Sequence, residues 1–299
     1  SFAWEIIAAA RRSSERVAGV VMGELDLPGL DGANPLGLLA ALGLLEVLTD
    51  AGGPQVRMRW RDVGGWRPIL SGISGGLDVV LDLVEADRLS CAAEPAIELE
   101  YGGKRDLKPP PPIFTSYLRQ LREVARPDRR RGVDWASAFA TDVAIDNNGN
   151  TKPTALHFTA GQQQFLKMVR ELVENVTRED VRQAVLGPWR YDRALPVMGW
   201  DATSTRDYAL RASDPSNDKK LGVPGADWLA VRGLASVPVV PVRNEIRTTG
   251  CVGGWKSGRF RWGLWAAPLN RDAVRSSLRM DVESMSAAER AARGVGVVF

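Results

Sequence analysis

The single histidine is the first residue to consider for chemistry. His157 lies between Leu156 and Phe158, and an imidazole can act as a general acid or base near neutral pH. A lone histidine between apolar neighbours is more often a packed side chain with one hydrogen-bond partner. One histidine also excludes every metal site that needs several of them. A small cytosolic enzyme that uses His157 with an acidic partner is therefore an alternative hypothesis, not the leading one.

Two further patterns resemble ligand-binding motifs without matching them. A run of four aspartates could hold a divalent cation, but its spacing fits no calcium loop; the four are Asp201, Asp207, Asp214 and Asp218. The stretch GGWKSG at 253–258 has Trp255 where a phosphate loop needs a glycine before its lysine. The sequence contains neither a dinucleotide glycine fingerprint nor a serine nucleophile elbow. We therefore expect no catalytic residue, metal site or cofactor, and no nuclease or ATPase activity.

Positive charge is concentrated in two segments. The net charge of the 299-residue chain is only +3. Residues 104–131 contain nine Lys/Arg and three Asp/Glu, and residues 243–279 contain eight and two, so each segment carries +6 and the remainder about −9. Two basic segments on an otherwise acidic chain are typical of nucleic-acid binding. Ordinary solvated surface is the alternative.

Each basic segment contains a specific candidate for phosphate contact. Three arginines at 129–131 follow a proline-rich stretch, from which they could reach phosphates. The stretch GGWKSGRFRWGLW at 253–265 alternates basic and aromatic residues, which can neutralise phosphates and stack on bases. We predict that the two segments form one nucleic-acid-binding surface. Its predicted residues are Lys104, Arg105, Arg129, Arg130, Arg131, Trp255, Lys256, Arg259 and Arg261.

One apolar stretch is expected to form the centre of the fold. Asn34 and Pro35 are a typical helix start, and residues 36–48 are almost entirely Leu, Ala, Val and Gly. A helix that is apolar on all sides is buried, and this one is too short to span a bilayer. Gly37 and Gly43 should let another backbone approach closely. The helix should end at the Ala51-Gly52-Gly53 stretch.

The remaining pattern predicts an α+β fold of two lobes. Alternating residues at 20–27 and 55–60 and an apolar run at 66–70 predict a small sheet on which the buried helix packs. We expect a leading helix within 1–22 and an N-terminal lobe over 23–132 that ends in an exposed Pro/Arg-rich connection. A second lobe of helices and strands should occupy 133–299.

Further elements are expected from local signals. Helices should cover 77–86, 117–124 and, with clean apolar stripes, the stretches after Thr159 and Thr177. Asn270 and Ser286 should cap two more helices. Strands are expected at 97–101, 155–158, 236–242, 259–265 and 294–299.

Several stretches resemble a known group of proteins. These are LPGLDGANPLGLLAALGLLEVL followed by GGWRP, then HFTAGQQQFLKMVRELVENV, GWDATSTRDYALRASDPS and VPGADWLAVRGL. They are similar to small proteins of type I-G (earlier I-U) CRISPR–Cas operons, most of all to the family described as an extension of the CRISPR helicase–nuclease. A large-subunit protein of the same system is the nearest alternative. The likeness covers about residues 25–265.

The resemblance implies a role in antiviral interference beside the RNA-guided surveillance complex and the helicase–nuclease, and it implies no catalytic residue. We therefore expect a non-catalytic protein that binds DNA or RNA, links those two partners, or does both. A purely structural scaffold subunit is a further alternative. Two cysteines without motif spacing, and first residues that lack the pattern of a secretory signal, predict a cytoplasmic protein that does not enter the membrane.

Overall fold

The computed structural model describes residues 23–53, 55–159, 162–203, 221–254 and 258–299. The predicted leading helix within 1–22 lies outside these residues. The described chain combines helices with small antiparallel sheets, which confirms the α+β class. None of the described helices is long and apolar enough to cross a membrane.

The helices are α1 (Pro35–Asp50), α2 (Gly76–Cys91), α3 (Pro111–Val124), α4 (Arg131–Phe139), α5 (Phe165–Asn175), α6 (Arg178–Leu186), α7 (Pro224–Gly233), α8 (Arg271–Ser277) and α9 (Ala287–Ala292). The strands are β1 (Gly23–Asp26), β2 (Arg57–Asp62), β3 (Trp66–Ile73), β4 (Ala140–Ile145), β5 (Thr151–Pro153), β6 (Val239–Val242), β7 (Glu245–Thr248), β8 (Cys251–Val252), β9 (Arg259–Phe260), β10 (Gly263–Trp265) and β11 (Val295–Val298). Short 3-10 turns occupy Pro95–Ile97 and Leu234–Ser236.

Helix α1 forms as the sequence predicts. The Asn34 side chain accepts a hydrogen bond from the backbone N–H of Leu36 at 3.0 Å, and Pro35 occupies the first helical position. Every residue from Leu36 to Leu48 is buried. The helix ends at Asp50, and Gly52 follows with a φ of +97°, a conformation that glycine adopts without steric cost. A helix apolar on all sides is thus the centre of the core.

The main partner of α1 is α7, and not the sheet as predicted. A Cβ atom on Gly43 would lie 1.7 Å from the carbonyl oxygen of Leu229, and one on Gly233 would lie 2.1 Å from that of Leu39. The two backbones therefore touch, which confirms the close approach predicted at Gly43 and requires glycine on both helices. No local pattern predicts α7, because all of its residues are buried while Asp227 and Arg232 interrupt the apolar run, so it is neither amphipathic nor entirely apolar.

The small sheet has the strand order β1-β3-β2 and is antiparallel throughout. Met58 and Trp60 of β2 are buried, whereas Arg57 points to solvent, as the alternation predicts. The ring of Trp265 meets Trp60 edge-on at 6.1 Å, and its Nε1 donates to the carbonyl oxygen of Met58 at 2.7 Å. These contacts join β10 to the sheet.

Several other predicted elements are confirmed. The apolar stripe of α5 is buried, a capping box of Thr177 and Asp180 opens α6, and Asn270 and Ser286 cap α8 and α9. The prolines of β6 fit its position in a two-stranded pair with β7.

Four local predictions are wrong. Residues 97–101 contain the end of a 3-10 turn instead of a strand, and residues 155–158 form a turn. Helix α5 begins at Phe165, and Thr159 does not cap it. The strand expected over 259–265 is interrupted at Arg261 and Trp262, giving β9 and β10.

The connection expected before residue 133 is not an extended linker. Pro111 and Pro112 open α3, because proline costs little in the first turn of a helix. Phe114, Tyr117 and Leu121 bury one face of this helix in the core. The division into two lobes near residue 132 stays a prediction.

A buried cluster of charged side chains, here called the arginine network, joins α1, α2, α4, α7 and α8. Arg232, 1% exposed, donates to Asp87 at 2.8 Å and to Asp50 at 3.0 Å, with its guanidinium 5.4 Å from the centre of the Trp135 ring. Glu46 accepts hydrogen bonds from Ser236, Arg271 and Arg275. The other members of the arginine network are Arg131, Glu94 and Asp134. Since each buried charge has an opposite partner, the network does not carry isolated charges.

Candidate nucleic-acid interface

The first predicted basic segment divides into paired and open residues. Arg131, whose side chain is 15% exposed, contacts Asp87 at 3.1 Å and Glu94 at 3.0 Å. Arg105 contacts Glu98 at 3.4 Å and Glu100 at 3.1 Å. These carboxylates occupy the guanidinium donors that a phosphate would need. Arg131 therefore has a structural role, and the prediction that it contacts phosphate is wrong. Arg105 could contact a phosphate only by breaking its own ion pairs.

Three arginines between α3 and α4 form what we call the basic turn: Arg126, Arg129 and Arg130. The backbone N–H of each of Arg126 and Arg129 donates to the carbonyl oxygen of the other, at 3.4 and 2.9 Å. All three side chains are exposed. Among the described residues, Asp134 is the one carboxylate that pairs with this turn, at 3.5 Å from Arg130. The turn therefore presents three arginines to solvent on a fixed backbone, together with the exposed Asp128, and Arg126 also donates to the carbonyl oxygens of Glu123 and Ala125.

Lys104 lies apart from the basic turn. It is exposed in the tight turn that pairs Tyr101 with Lys104. Beside this turn, a polar groove lies between residues 100–105 and α5 and mixes both charges, since Arg105, Lys167 and Arg170 line it together with three glutamates. Its charges largely cancel, so it offers a weaker attraction to phosphate than the basic turn does.

In the described part of the second predicted segment, the tryptophans are buried and not open for stacking. Trp262 and Trp265 are buried, and their Nε1 groups donate to the carbonyl oxygens of Gly32 and Met58 at 2.8 and 2.7 Å. Both rings are thus part of the core. Trp255 and Lys256 lie outside the described residues.

The arginines of that segment remain accessible. The Arg259 and Arg261 side chains are 70% and 34% exposed, and they lie 3.9 and 3.6 Å from the single carboxylate of Glu283. Two guanidinium groups thus share one weak counter-charge. That the two basic segments form one continuous surface stays a prediction.

His157 has the acidic neighbour that an enzyme would need, but the same carboxylate also binds the backbone at the start of α5. Its Nε2 lies 2.9 Å from Asp106 Oδ1, and its side chain is 3% exposed against the Phe165 ring. The same Asp106 oxygen accepts from the backbone N–H of Phe165 at 3.0 Å, at the start of α5. Burial raises the pKa of Asp106, but the hydrogen bond and charge of His157 outweigh it and hold that pKa below its ordinary value.

The hydroxyl near this pair does not complete a hydrolase-like triad. Thr159 Oγ1 lies 3.2 Å from His157 Nε2, the nitrogen that already contacts Asp106, and 3.4 Å from Nδ1, so it is not directed at Nδ1 alone. In a catalytic triad the nucleophile and the acid contact different ring nitrogens. Asp106 and His157 thus hold the start of α5, and the enzyme alternative stays a prediction.

Two buried aspartates lie at the amino-terminal ends of α1 and α7. Asp201 accepts hydrogen bonds from Asn34 and Tyr191, each at 2.8 Å, and from Thr203. Asp227 accepts from the backbone N–H of Met198 at 3.1 Å, and its Oδ2 has no partner among the described residues. Burial raises the pKa of Asp227 to about 8, helped by the charge of Asp201.

Of the four aspartates predicted as a possible divalent-cation site, Asp201 is the one that the structure describes. Asp207, Asp214 and Asp218 lie outside the described residues. Within the described ranges, no three metal-ligating side chains converge.

Sequence reasoning missed an open apolar groove of about 330 Å³ next to the basic turn. It lies between α3, α4, β4 and β6, and its lining includes Leu118, Arg122, Ala136 and Val239. Four separate stretches of the chain line this groove, so no local sequence pattern predicts it. The periodicity of α3 could have indicated one part, since Leu118 and Ala125 lie beside the buried face of that helix.

Comparison with known proteins gives no relative for this chain: no family model, curated protein or solved structure matches it.

Proposed function

We propose that this chain is a non-catalytic component of a type I CRISPR interference system, that it binds the phosphate backbone of DNA or RNA, and that it works in the cytoplasm. Within this proposal the basic turn is the main contact site. The stretches that resemble type I-G operon proteins support the biological setting, and the exposed arginines support the binding activity.

The observation that carries the proposal is the geometry of the basic turn. Three guanidinium groups are exposed on a backbone fixed by two reciprocal hydrogen bonds. A fixed backbone holds the three Cα positions close together, so only the side chains must be ordered when they contact a row of phosphates. Arg259 and Arg261, with one shared carboxylate, are secondary candidates.

The absence of aromatic side chains from the described basic turn predicts binding without base selection. Phosphate contacts position a protein but carry no sequence information. We therefore expect similar affinity for unrelated sequences and a strong dependence on salt.

The test is a fluorescence-anisotropy titration of labelled duplex and single-stranded DNA and of RNA at several salt concentrations. The variant Arg126→Glu/Arg129→Glu/Arg130→Glu should bind all of them more weakly. For duplex DNA the slope of log K against log salt should flatten by up to about 2.7, at about 0.9 for each of three contacts.

A matched control changes the net charge equally at other exposed arginines: Arg57→Glu/Arg190→Glu/Arg279→Glu. This control should keep most of the affinity. Equal losses in the two triple variants would assign binding to net charge instead of the turn, and a wild-type chain that binds no nucleic acid would overturn the proposal.

A further inference from the structure

The apolar groove has a floor that suits protein side chains. Of the described residues that line it, Arg122 alone is charged, and the others are aliphatic or small. Its two hydroxyl groups are occupied locally: Ser137 donates to the carbonyl oxygen of Asp134 at 2.7 Å, and Thr141 accepts from the N–H of Val143 at 3.4 Å. A polar ligand would find few free partners on this floor, whereas aliphatic side chains would bury apolar surface there.

The strands that form one wall of the groove carry further exposed apolar side chains, which on β6 lie on the face opposite the groove-lining Val239 and Pro241 because side chains alternate along a strand. Val143 of β4 is 60% exposed and Val240 of β6 is 53% exposed. Ile145 and Val242, on the same two strands, are exposed as well. Exposed apolar residues gathered on neighbouring strands are typical of protein interaction surfaces.

The opposite wall is basic. Arg119 and Arg122 are exposed and stand three residues apart on α3, so their side chains lie on one side of the helix, next to the groove-lining Leu118. Neither forms an ion pair with a described carboxylate. A partner that covers the groove therefore meets two guanidinium groups along one edge, and carboxylates at that edge would neutralise them.

We propose that the apolar groove docks an acidic amphipathic segment of a protein partner, which places aliphatic side chains on the floor and carboxylates against Arg119 and Arg122. Nucleic acid fits the groove less well than a protein segment does, because its aliphatic floor offers no aromatic ring for base stacking. This inference rests on the proposed function, because membership of a type I CRISPR interference system makes the helicase–nuclease and the surveillance complex the expected sources of the segment.

The experiment is site-specific photo-crosslinking with purified partners. A photoreactive amino acid replaces Ser137, which is exposed on the groove, and the full chain is mixed with the purified helicase–nuclease and surveillance complex of its own operon. Mass spectrometry should locate one crosslinked segment with an apolar face and several Asp or Glu. A crosslink to nucleic acid, to a second copy of this chain or to a basic segment, or no crosslink above that of the same group placed at Ser284, would overturn the inference.

Affinity for a peptide of the crosslinked segment then tests the two walls. Arg119→Glu/Arg122→Glu should weaken binding at least about tenfold, and Val239→Asp should do so by placing a charge on the apolar wall. Arg57→Glu/Arg190→Glu and Val252→Asp, at exposed sites elsewhere, are the matched controls and should bind as the wild type does. Unchanged affinity in Arg119→Glu/Arg122→Glu, which is at the surface and should fold, would also overturn the inference.

The same variants separate this inference from the proposed function. Arg119→Glu/Arg122→Glu should lose the peptide and keep most DNA binding, whereas the triple variant of the basic turn should lose DNA and keep the peptide. Loss of peptide binding in the triple variant alone would count against the groove and leave the phosphate-binding proposal intact.

Discussion

The arginine network and the basic turn use the same side chain in two different ways. Arg131 and Arg129 are two residues apart, yet Arg131 is enclosed by Asp87 and Glu94, whereas Arg129 is exposed. In the network, guanidinium groups neutralise carboxylates of other helices and hold those helices together. In the turn, the charge is left open for a ligand. The carboxylates around Arg131 are distant in sequence, so a count of local charge cannot separate the two cases.

The largest expected effect is on stability, from Arg232→Ala in the network. This change removes a fully buried partner from Asp50 and Asp87, which keep Arg271 and Arg131, and it removes the cation from the face of Trp135. Breaking a buried ion pair from one side typically costs about 3–5 kcal/mol of the free energy of unfolding, and because the remaining arginines compensate in part, this range is the upper limit here. Urea denaturation measures it, and a loss below about 1 kcal/mol would show that the network is dispensable.

Asp227 differs from the carboxylates of the network because it is buried and no described cation pairs with it. Its pKa is raised to about 8, against about 3.9 in the unfolded chain. Between these values the folded state binds the extra proton, so its contribution to stability is complete below about pH 4 and is lost as the pH rises to about 8. The loss is at most about 1.4 kcal/mol for each pH unit.

The variant Asp227→Asn should remove this pH dependence. It cannot ionise, and its carbonyl oxygen can still accept from the N–H of Met198. Its stability relative to the wild type should therefore increase steadily from pH 5 to pH 8 in urea titrations at each pH. Parallel stability curves for the two proteins would mean that Asp227 titrates at an ordinary pKa.

A smaller loss is expected for Glu46→Gln. The change keeps the shape of a side chain that accepts from Ser236 and Arg275 but removes its charge. Hydrogen bonds to charged groups contribute about 1.5–3 kcal/mol, and the loss should lie in that range by urea denaturation. A stability equal to that of the wild type would show that Asp50 and Asp134 suffice for Arg271 and Arg275.

The smallest effect on stability is expected for a substitution in the basic turn. Arg129→Ala removes an exposed side chain that pairs with no described carboxylate, and such surface changes usually stay within about 0.5 kcal/mol. The same variant should weaken DNA binding measurably. A large loss of stability would mean that Arg129 belongs to the structural group, and the comparison between the two regions would fail.

Local signals in the sequence predicted the elements that local contacts determine. The Asn34 cap, the stripe of α5 and the Thr177 capping box all depend on residues within one or two turns. The start of α5 was misplaced because its first N–H donates to Asp106, which lies 59 residues earlier. The role of Arg131 and the apolar groove depend on contacts of the same long range, and no periodicity reports them.

The close contact of α1 with α7 has a consequence for synthesis of the chain. Asp50 ends the first helix and Gly233 ends the second, so 183 residues separate the two ends (233 − 50). At about 5–20 residues per second, a ribosome needs on the order of 10–40 s to make that stretch. During this interval the nascent chain carries a mostly apolar helix that lacks its main partner. Helix α1 of each new molecule thus presents apolar surface that a chaperone can bind until α7 leaves the ribosome.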